Sequence, residues 1–224
     1  ARDGRGLLLT DPITPPKPGE IPAHQRFYYL ELLRRAGLID RVPDCDAIRL
    51  PGTEYLARAG RHRLYEMDMG ESWIGVSPGA AYGTAKRWLP ERFAEAAIEL
   101  ARKTDSAVAL FGSPDERPLC EQIRVDIEEA GVLVHNFAGE TKLDEFIAIA
   151  AACTAFLTND SGAMHIASAL GVPTVTVFGA TDHIATGPTG PFARIVREPV
   201  YCAPCLLREC PIDHRCRSEE HTSE

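Results

Sequence analysis

The sequence lacks any apolar run that approaches the roughly 20 residues needed to span a bilayer. It also lacks the charged-then-apolar opening of a secretory signal peptide. Basic residues are not in excess: the formal net charge is −8, which argues against non-specific binding to DNA or RNA, because such binding needs a basic surface. This charge remains compatible with one local basic pocket for a phosphorylated small molecule. We therefore expect a cytoplasmic protein with no transmembrane segment and no nucleic-acid partner.

Two phosphate-binding motifs are absent as well. No segment reads Gly-x-Gly-x-x-Gly, which excludes the dinucleotide fingerprint, and none reads Gly-x-x-x-x-Gly-Lys-Ser/Thr, which excludes the P-loop. In other respects the 224 residues, 45% apolar and 25% charged, are those of an ordinary globular chain of one or two domains. A nucleotide site in this protein would therefore have to be built in another way.

From Trp73 onward the sequence shows a regular alternation of short β-prone segments and helical periodicities. Strands are predicted at 73–76, 107–111, 132–137, 155–158 and 174–178, and helices at 90–102, 116–130, 143–152 and 161–170. The strand at 174–178 closes the predicted series. Such an alternation indicates βαβ units, so we expect an α/β fold with a parallel sheet.

A small, polar, Gly-bearing loop follows every predicted strand. These loops are Ser77–Gly83 with Lys86 beyond it, Gly112–Glu116, Ala138–Thr141, Asn159–Gly162 and Gly179–Asp182. Ligands of open α/β sheets bind outside the carboxyl ends of the strands, so the five loops predict a continuous polar site. One lysine and several helix N-termini suit a diphosphate, and carboxylates suit ribose or sugar hydroxyls. A nucleotide diphosphate sugar would use all of these groups. The alternative is an ordinary βα loop with a solvated Lys86.

Four segments resemble the ADP-heptose:lipopolysaccharide heptosyltransferases of glycosyltransferase family 9, nearest to the heptosyltransferase II type. They read PGAAYGTAKRW (78–88), FAGETKLDE (137–145), TNDSGAMHIASALGVPTVTVFGATD (158–182) and CAPCLLRECPIDHRC (202–216). The resemblance implies a GT-B glycosyltransferase, in which two Rossmann-like domains face each other across a cleft. It implies an inverting transfer of heptose from ADP-L-glycero-D-manno-heptose to the lipopolysaccharide inner core, without a metal ion or other cofactor. It also implies a peripheral position at the inner face of the inner membrane.

The resemblance also suggests how the chain is divided. Residues 1–45 would be the end of the N-terminal, acceptor-side domain and the connecting helix, residues 46–71 a linker, and residues 72–216 the C-terminal, nucleotide-sugar-binding domain. Residues 217–224 depart from the family pattern. We expect a fragment without the start of the N-terminal domain, where this family carries a carboxylate thought to act as the base. The alternative function is accordingly a nucleotide-binding fragment without catalysis.

The resemblance assigns roles around the departing diphosphate. Lys86 would stabilise the charge on this leaving group, assisted by the backbone N–H groups of Ser161 and Gly162 at a helix start. Asp160 would face the donor, and capping the helix is the alternative. His165 could hydrogen-bond a phosphate, with a core histidine as the alternative.

Further donor contacts are implied for the nucleoside. Glu116 would hold the ribose, although the helix dipole alone favours an acid in a first turn. Gly139 and Thr141 would line the adenine pocket, and Gly139 could instead simply permit a turn. Ala80 and Ala81 would let the backbone approach the ligand closely.

Four cysteines near the end of the chain form a separate pattern. Cys202, Cys205, Cys210 and Cys216 are spaced C-x2-C-x4-C-x5-C, with His214 between the last two. We expect no metal ion, and a zinc site built on these ligands is the alternative. A zinc-dependent interaction module is thus a third candidate function. Disulfides are not expected in an acidic cytoplasmic chain.

Overall fold

The computed structural model describes residues 9–217, which form two compact units. The larger unit comprises Ala47–Asp182 and Pro188–Glu224, and the smaller one Ala1–Asp46 with His183–Gly187, each within the described range. Of the segment 217–224, predicted to depart from the family pattern, all but Arg217 lies outside the described residues. The division into domains stays a prediction. Within residues 9–217, no helix is both long enough and apolar enough to cross a membrane.

A six-stranded parallel sheet with helices on both faces makes up the larger unit. Its strands are β1 Trp73–Ser77, β2 Ala107–Leu110, β3 Val134–Asn136, β4 Ala155–Asn159, β5 Thr174–Phe178 and β6 Ala193–Arg197. The helices of the chain are α1 Gln25–Arg35, α2 Thr53–Glu66, α3 Pro90–Thr104, α4 Arg117–Glu129, α5 Leu143–Ala152, α6 Gly162–Ala169 and α7 His183–Thr186, with α1 and α7 in the smaller unit. The strand order is β3-β2-β1-β4-β5-β6. This doubly wound order confirms the predicted α/β fold and places its switch point between β1 and β4.

The prediction that the strand at 174–178 closes the sheet is wrong. β6 pairs in parallel with β5, and Thr174 lies opposite Ala193 in this register. The crossover between the two strands contains only the four-residue helix α7, so it lacks the helical period that marks the other βαβ units. β6 itself is an edge strand with two arginines among its five residues and an exposed surface. Its sequence therefore lacks the continuous apolar pattern that predicts a buried strand.

Two apolar cores lie on the two faces of the sheet, because side chains alternate along each strand. In β1, Trp73 packs into the core formed with α2, α5 and α6, while Ile74 and Val76 pack into the core formed with α3 and α4. β1 is thus covered on both sides, which explains why its sequence is nearly continuously apolar. α3 begins at Pro90, the predicted first residue of this helix, where the missing N–H of proline has no cost.

Helix α2, which lies in the segment 46–71 that was predicted to be a linker, packs against α5 through Gly60. A Cβ atom on Gly60 would lie 2.0 Å from the carbonyl oxygen of Ala148 and 2.9 Å from Cα of Ile149. Both are backbone atoms, so the neighbouring helix cannot yield by a side-chain rotation. Glycine is therefore required here by the distance between the two helices.

We expect Gly60→Ala to lower the free energy of unfolding by about 1–3 kcal/mol, the usual cost of overpacking. This expectation opposes helix propensity, which by itself favours alanine by about 1 kcal/mol. Chemical denaturation of the two proteins measures the difference. Ala59→Gly, at the neighbouring exposed position on the same helix, is the matched control and should lose about 1 kcal/mol from propensity alone. Unchanged or increased stability of Gly60→Ala would contradict the close packing.

Candidate functional site

Loops from four strands enclose a cavity at the carboxyl edge of the sheet. Its volume is about 520 Å³. The residues that line it are Ser77, Gly79, Ala80, Ala81, Arg87, Phe111, Gly112, Ser113, Asp115, Glu116, Thr141, Lys142, Leu143, Phe146, Ser161, Gly162 and Ala163. These loops follow β1, β2, β3 and β4, so the cavity includes the switch point where doubly wound sheets bind their ligands. Four of the five predicted loops thus form a concave site large enough for a small molecule, whereas no residue of 179–182 is among those that line it.

Lys86 and Asp160 form an ion pair beside this cavity. Nζ of Lys86 lies 2.7 Å from Oδ2 of Asp160, and the two side chains are only 16% and 6% exposed. The neighbours of the pair in the chain, Arg87 and Ser161, both line the cavity. Lys86 is therefore not the solvated lysine of the alternative interpretation. A largely buried cation next to a cavity is a ready partner for an anionic ligand, because little water competes with the interaction.

The ring of Tyr82 contributes to the surroundings of this cation. Nζ of Lys86 lies 5.0 Å from the ring centroid, and the guanidinium carbon of Arg208 lies 5.2 Å from it. The hydroxyl of Tyr82 donates a hydrogen bond of 3.0 Å to the carbonyl of Leu206, while the Ala85 N–H donates to the carbonyl of Arg208 at 3.0 Å. The cysteine-rich segment 201–216 thus packs directly against the turn that carries Lys86.

Asn159 fixes both ends of the loop after β1. Its side chain is fully buried, and Nδ2 donates to the carbonyl of Pro78 at 2.6 Å. Oδ1 accepts a hydrogen bond of 2.9 Å from the backbone N–H of Trp88. Trp88 in turn packs edge-on against Phe93, with ring centroids 5.2 Å apart. A single amide therefore sets the shape of the loop that carries Ala80, Ala81 and Lys86.

The carboxylate of Glu116 points to the loop after β1. Its Oε2 accepts a hydrogen bond of 2.9 Å from the Ser113 N–H, and its Oε1 lies 4.0 Å from Nη2 of Arg87. A Cβ on Gly79 would lie 2.1 Å from Oε1 of Glu116. The absence of a side chain at Gly79 therefore leaves room for the carboxylate. Glu116 lies one residue before α4 and lines the cavity. The helix-terminus and ligand-facing interpretations are therefore compatible at this residue.

One wall of the cavity is aromatic. Phe111 and Phe146 line it, with ring centroids 5.0 Å apart in an edge-on arrangement. Behind them, Phe156 stacks on Phe111 at 5.9 Å and is fully buried. An apolar wall opposite polar groups is typical of sites that bind a planar ring with a charged tail.

The structure brings together most of the predicted donor-binding residues. Six of them line the cavity: Ala80, Ala81, Glu116, Thr141, Ser161 and Gly162. Lys86 and Asp160 pair beside it. At Gly162, the first residue of α6, no described atom outside its chain neighbours and the backbone of its own helix lies within 4 Å of the place a Cβ would take. The space beside it is therefore open to the cavity.

Gly139 and His165 are not among the residues that line the cavity. Gly139 has φ +76°, and its N–H donates to the carbonyl of Gly112 at 3.0 Å. The turn interpretation of this glycine is therefore confirmed, and only its partner Gly112 lines the cavity. His165 is exposed on α6, so the core-histidine alternative is wrong. Their proposed contacts with adenine and phosphate stay predictions.

Sequence reasoning did not single out three side chains of this region. Arg87 follows Lys86 in the chain and lines the cavity. Thr181 donates a hydrogen bond to Asp160, and Tyr82 lies under the Lys86 ammonium group. All three belong to the segments 78–88 and 158–182 that carry the resemblance. Their presence in those segments was the available signal, but it does not reveal which side chains meet across loops.

Cys202, Cys205, Cys210 and Cys216 line a second, much smaller cavity together with His214. Its volume is about 20 Å³. All seven cysteines of the chain are free. Within residues 9–217, no group of three or more His, Cys, Asp or Glu side chains is arranged to hold a metal ion. The arrangement therefore gives no support to the alternative zinc site.

Comparison with known proteins agrees with this description. Residues 43–215 match Glycosyltransferase family 9 (heptosyltransferase). Lipooligosaccharide heptosyltransferase 2 of Campylobacter jejuni is 34% identical over 147 residues, which are 65% of this chain and 46% of the relative. Lipooligosaccharide heptosyltransferase 2 of Haemophilus influenzae is 43% identical over 125 residues, which are 55% of this chain and 36% of the relative.

A solved structure extends the similarity to three dimensions. ADP-heptose lps heptosyltransferase II of Escherichia coli superimposes with a TM-score of 0.59 at 29% identity, covering 74% of this chain and 49% of that one. The chain thus spans less than half the length of the relatives it matches. The family match covers most of the chain, including every loop of the cavity. The chain therefore belongs to glycosyltransferase family 9, the heptosyltransferase family.

Proposed function

We propose that the full-length protein transfers heptose from ADP-L-glycero-D-manno-heptose to the inner core of lipopolysaccharide, with inversion at the anomeric carbon. The observation that carries this proposal is the largely buried Lys86–Asp160 pair beside a four-loop cavity at the switch point of the sheet. Membership of the heptosyltransferase family supports the choice of sugar. The name of the similar E. coli enzyme supports ADP-heptose as the donor and lipopolysaccharide as the acceptor.

In this proposal the described residues serve the donor side of the reaction. An acceptor hydroxyl oxygen forms a bond to the anomeric carbon while the bond from that carbon to the diphosphate breaks, and ADP leaves with the electron pair. The hydroxyl proton passes to a general base, which we place outside the described residues. Lys86 and the N–H groups of Ser161 and Gly162 stabilise the charge that develops on the diphosphate.

The nucleoside would occupy the rest of the cavity. Glu116 would accept hydrogen bonds from the ribose hydroxyls, and Thr141 would lie beside the adenine. The aromatic wall of Phe111 and Phe146 offers the planar base an apolar surface. Asp160, near the anomeric end of the donor, would contact a sugar hydroxyl. We expect the enzyme to act in the cytoplasm, at the inner face of the inner membrane, where its acceptor lies.

The test of this function is a transfer assay with the full-length protein, ADP-heptose and lipopolysaccharide truncated in its inner core. We expect release of ADP together with acceptor that has gained one heptose, measured by mass spectrometry. Tight binding of ADP without any transfer by the full-length protein would favour the alternative function, a nucleotide-binding protein without catalysis.

We expect ADP to stabilise the protein against heat and NAD not to do so. A ligand that binds the folded state alone adds about 2.7 kcal/mol to the free energy of unfolding at a hundredfold excess over its Kd. Thermal unfolding with each nucleotide at equal concentration measures the difference. An equal shift with NAD, or none with ADP, would remove the assignment of an adenosine diphosphate donor.

A further inference from the structure

One oxygen of Asp160 serves two donors. Oδ2 lies 2.7 Å from Nζ of Lys86 and accepts a hydrogen bond of 2.6 Å from the hydroxyl of Thr181. The three residues belong to the loops that follow β1, β4 and β5, which are adjacent strands of the sheet. A short O–H···O⁻ distance of this kind marks a charge-assisted hydrogen bond. Thr181 is thus the neutral partner of a carboxylate whose charged partner is Lys86.

The Asp160 carboxylate needs this second donor once a ligand arrives. Its side chain is 6% exposed, so water cannot readily replace a lost partner, and an unpaired buried carboxylate is costly. A diphosphate in the cavity would compete with Asp160 for Lys86. If Lys86 turns to the diphosphate, the hydroxyl of Thr181 still occupies Oδ2 and keeps the carboxylate in place.

We propose that Thr181 is a positioning residue that acts on the diphosphate through Asp160 and Lys86. Its hydroxyl continues to donate to Oδ2 when Lys86 leaves Asp160. This lowers the free-energy cost of moving Lys86 from Asp160 to the ligand. This inference rests on the proposed function for the identity of the ligand, a nucleoside diphosphate. Its measured quantity is the affinity for ADP, which does not depend on whether the protein transfers heptose.

The experiment compares Thr181→Val, which removes the hydroxyl at nearly constant volume, with Thr181→Ser, which keeps it. The hydrogen bond from Thr181 is present in the free protein too, so ADP affinity reflects only the strength that it gains when Lys86 leaves Asp160. We therefore expect Thr181→Val to weaken ADP binding about fivefold to tenfold, by calorimetry on the full-length protein. Thr181→Ser should stay within about threefold of wild type. Both variants should stay folded in the absence of ligand, and Thr181→Ala provides a second variant without the hydroxyl.

Thr176 offers a matched control on the strand that precedes Thr181. Its hydroxyl is fully buried, with no hydrogen-bond partner among the described residues. Thr176→Val therefore removes a hydroxyl from the same strand-and-loop region without breaking a hydrogen bond, and ADP affinity should not change.

A double-mutant cycle with Lys86→Ala separates a positioning role from a general structural one. If Thr181 acts through Lys86, Thr181→Val should change ADP affinity by less than about twofold once Lys86 is absent. Equal impairment of Thr181→Ser and Thr181→Val, or independent losses in the double variant, would overturn the inference. If the full-length protein transfers no heptose but this pattern of ADP affinities is found, the proposed function fails and the role of Thr181 stands.

Discussion

Replacing Lys86 by alanine in the full-length protein is expected to lower the rate of heptose transfer by about a hundredfold to a thousandfold, the usual cost of losing one donor to a developing anion. The affinity for ADP-heptose should fall less, because the charge on the leaving diphosphate grows toward the transition state and the interaction grows with it. Single-turnover transfer, measured beside donor affinity, separates the two quantities.

Two further variants sharpen this result. Lys86→Arg should recover only part of the rate, because a planar guanidinium does not replace the point charge of an ammonium group. Lys103→Ala is the matched control, since that lysine is 68% exposed and pairs with Glu99 on α3, and its rate should match wild type. If Lys86→Ala leaves both rate and affinity within about twofold of wild type, far below the expected loss, Lys86 takes no part in the reaction.

The second large effect is expected at Phe156, behind the aromatic wall of the cavity. Phe156→Ala should lower the free energy of unfolding by about 3–5 kcal/mol, as for other fully buried aromatic residues. The ring stacks on Phe111 at 5.9 Å, and Gly75 leaves room for it, since a Cβ there would lie 2.4 Å from the ring. The surrounding backbone therefore cannot collapse easily into the space left behind.

Chemical denaturation measures this loss. Leu133→Ala, at a side chain that is 53% exposed, provides the control and should change stability by no more than about 0.5 kcal/mol. A loss at Phe156 as small as that at Leu133 would mean that the aromatic core is not packed as described.

Local patterns in the sequence located most of the fold. The strand at 174–178 was predicted at its observed bounds, and the helix at 143–152 likewise, because buried strands and amphipathic helices carry distinct periods. The strand predicted at 132–137 is shorter, Val134–Asn136, since strand ends depend on pairing rather than on composition. β6 escaped prediction because an exposed edge strand needs no apolar pattern.

For the candidate site, the sequence likewise predicts the location but not the contacts between side chains. The predicted parallel direction of the strands places all five polar loops at one edge of the sheet, so the location of the site follows from the sequence. The partnership of Lys86 with Asp160, and of Asp160 with Thr181, joins residues of three separate loops. Those contacts depend on the conformation of each loop. In the loop after β1, Asn159 sets this conformation through its hydrogen bonds to the Pro78 carbonyl and the Trp88 N–H. Sequence patterns contain no such distances.

The most direct test of the account is a crystal structure of the protein with ADP-heptose bound. We expect the diphosphate within hydrogen-bonding distance of Nζ of Lys86 and of the N–H groups of Ser161 and Gly162, with the ribose at Glu116. Lys86 should have turned from Asp160 toward the diphosphate, and Thr181 should still donate to Asp160. A nucleotide bound away from the four-loop cavity, or a diphosphate that leaves the Lys86–Asp160 pair untouched at 2.7 Å, would contradict it.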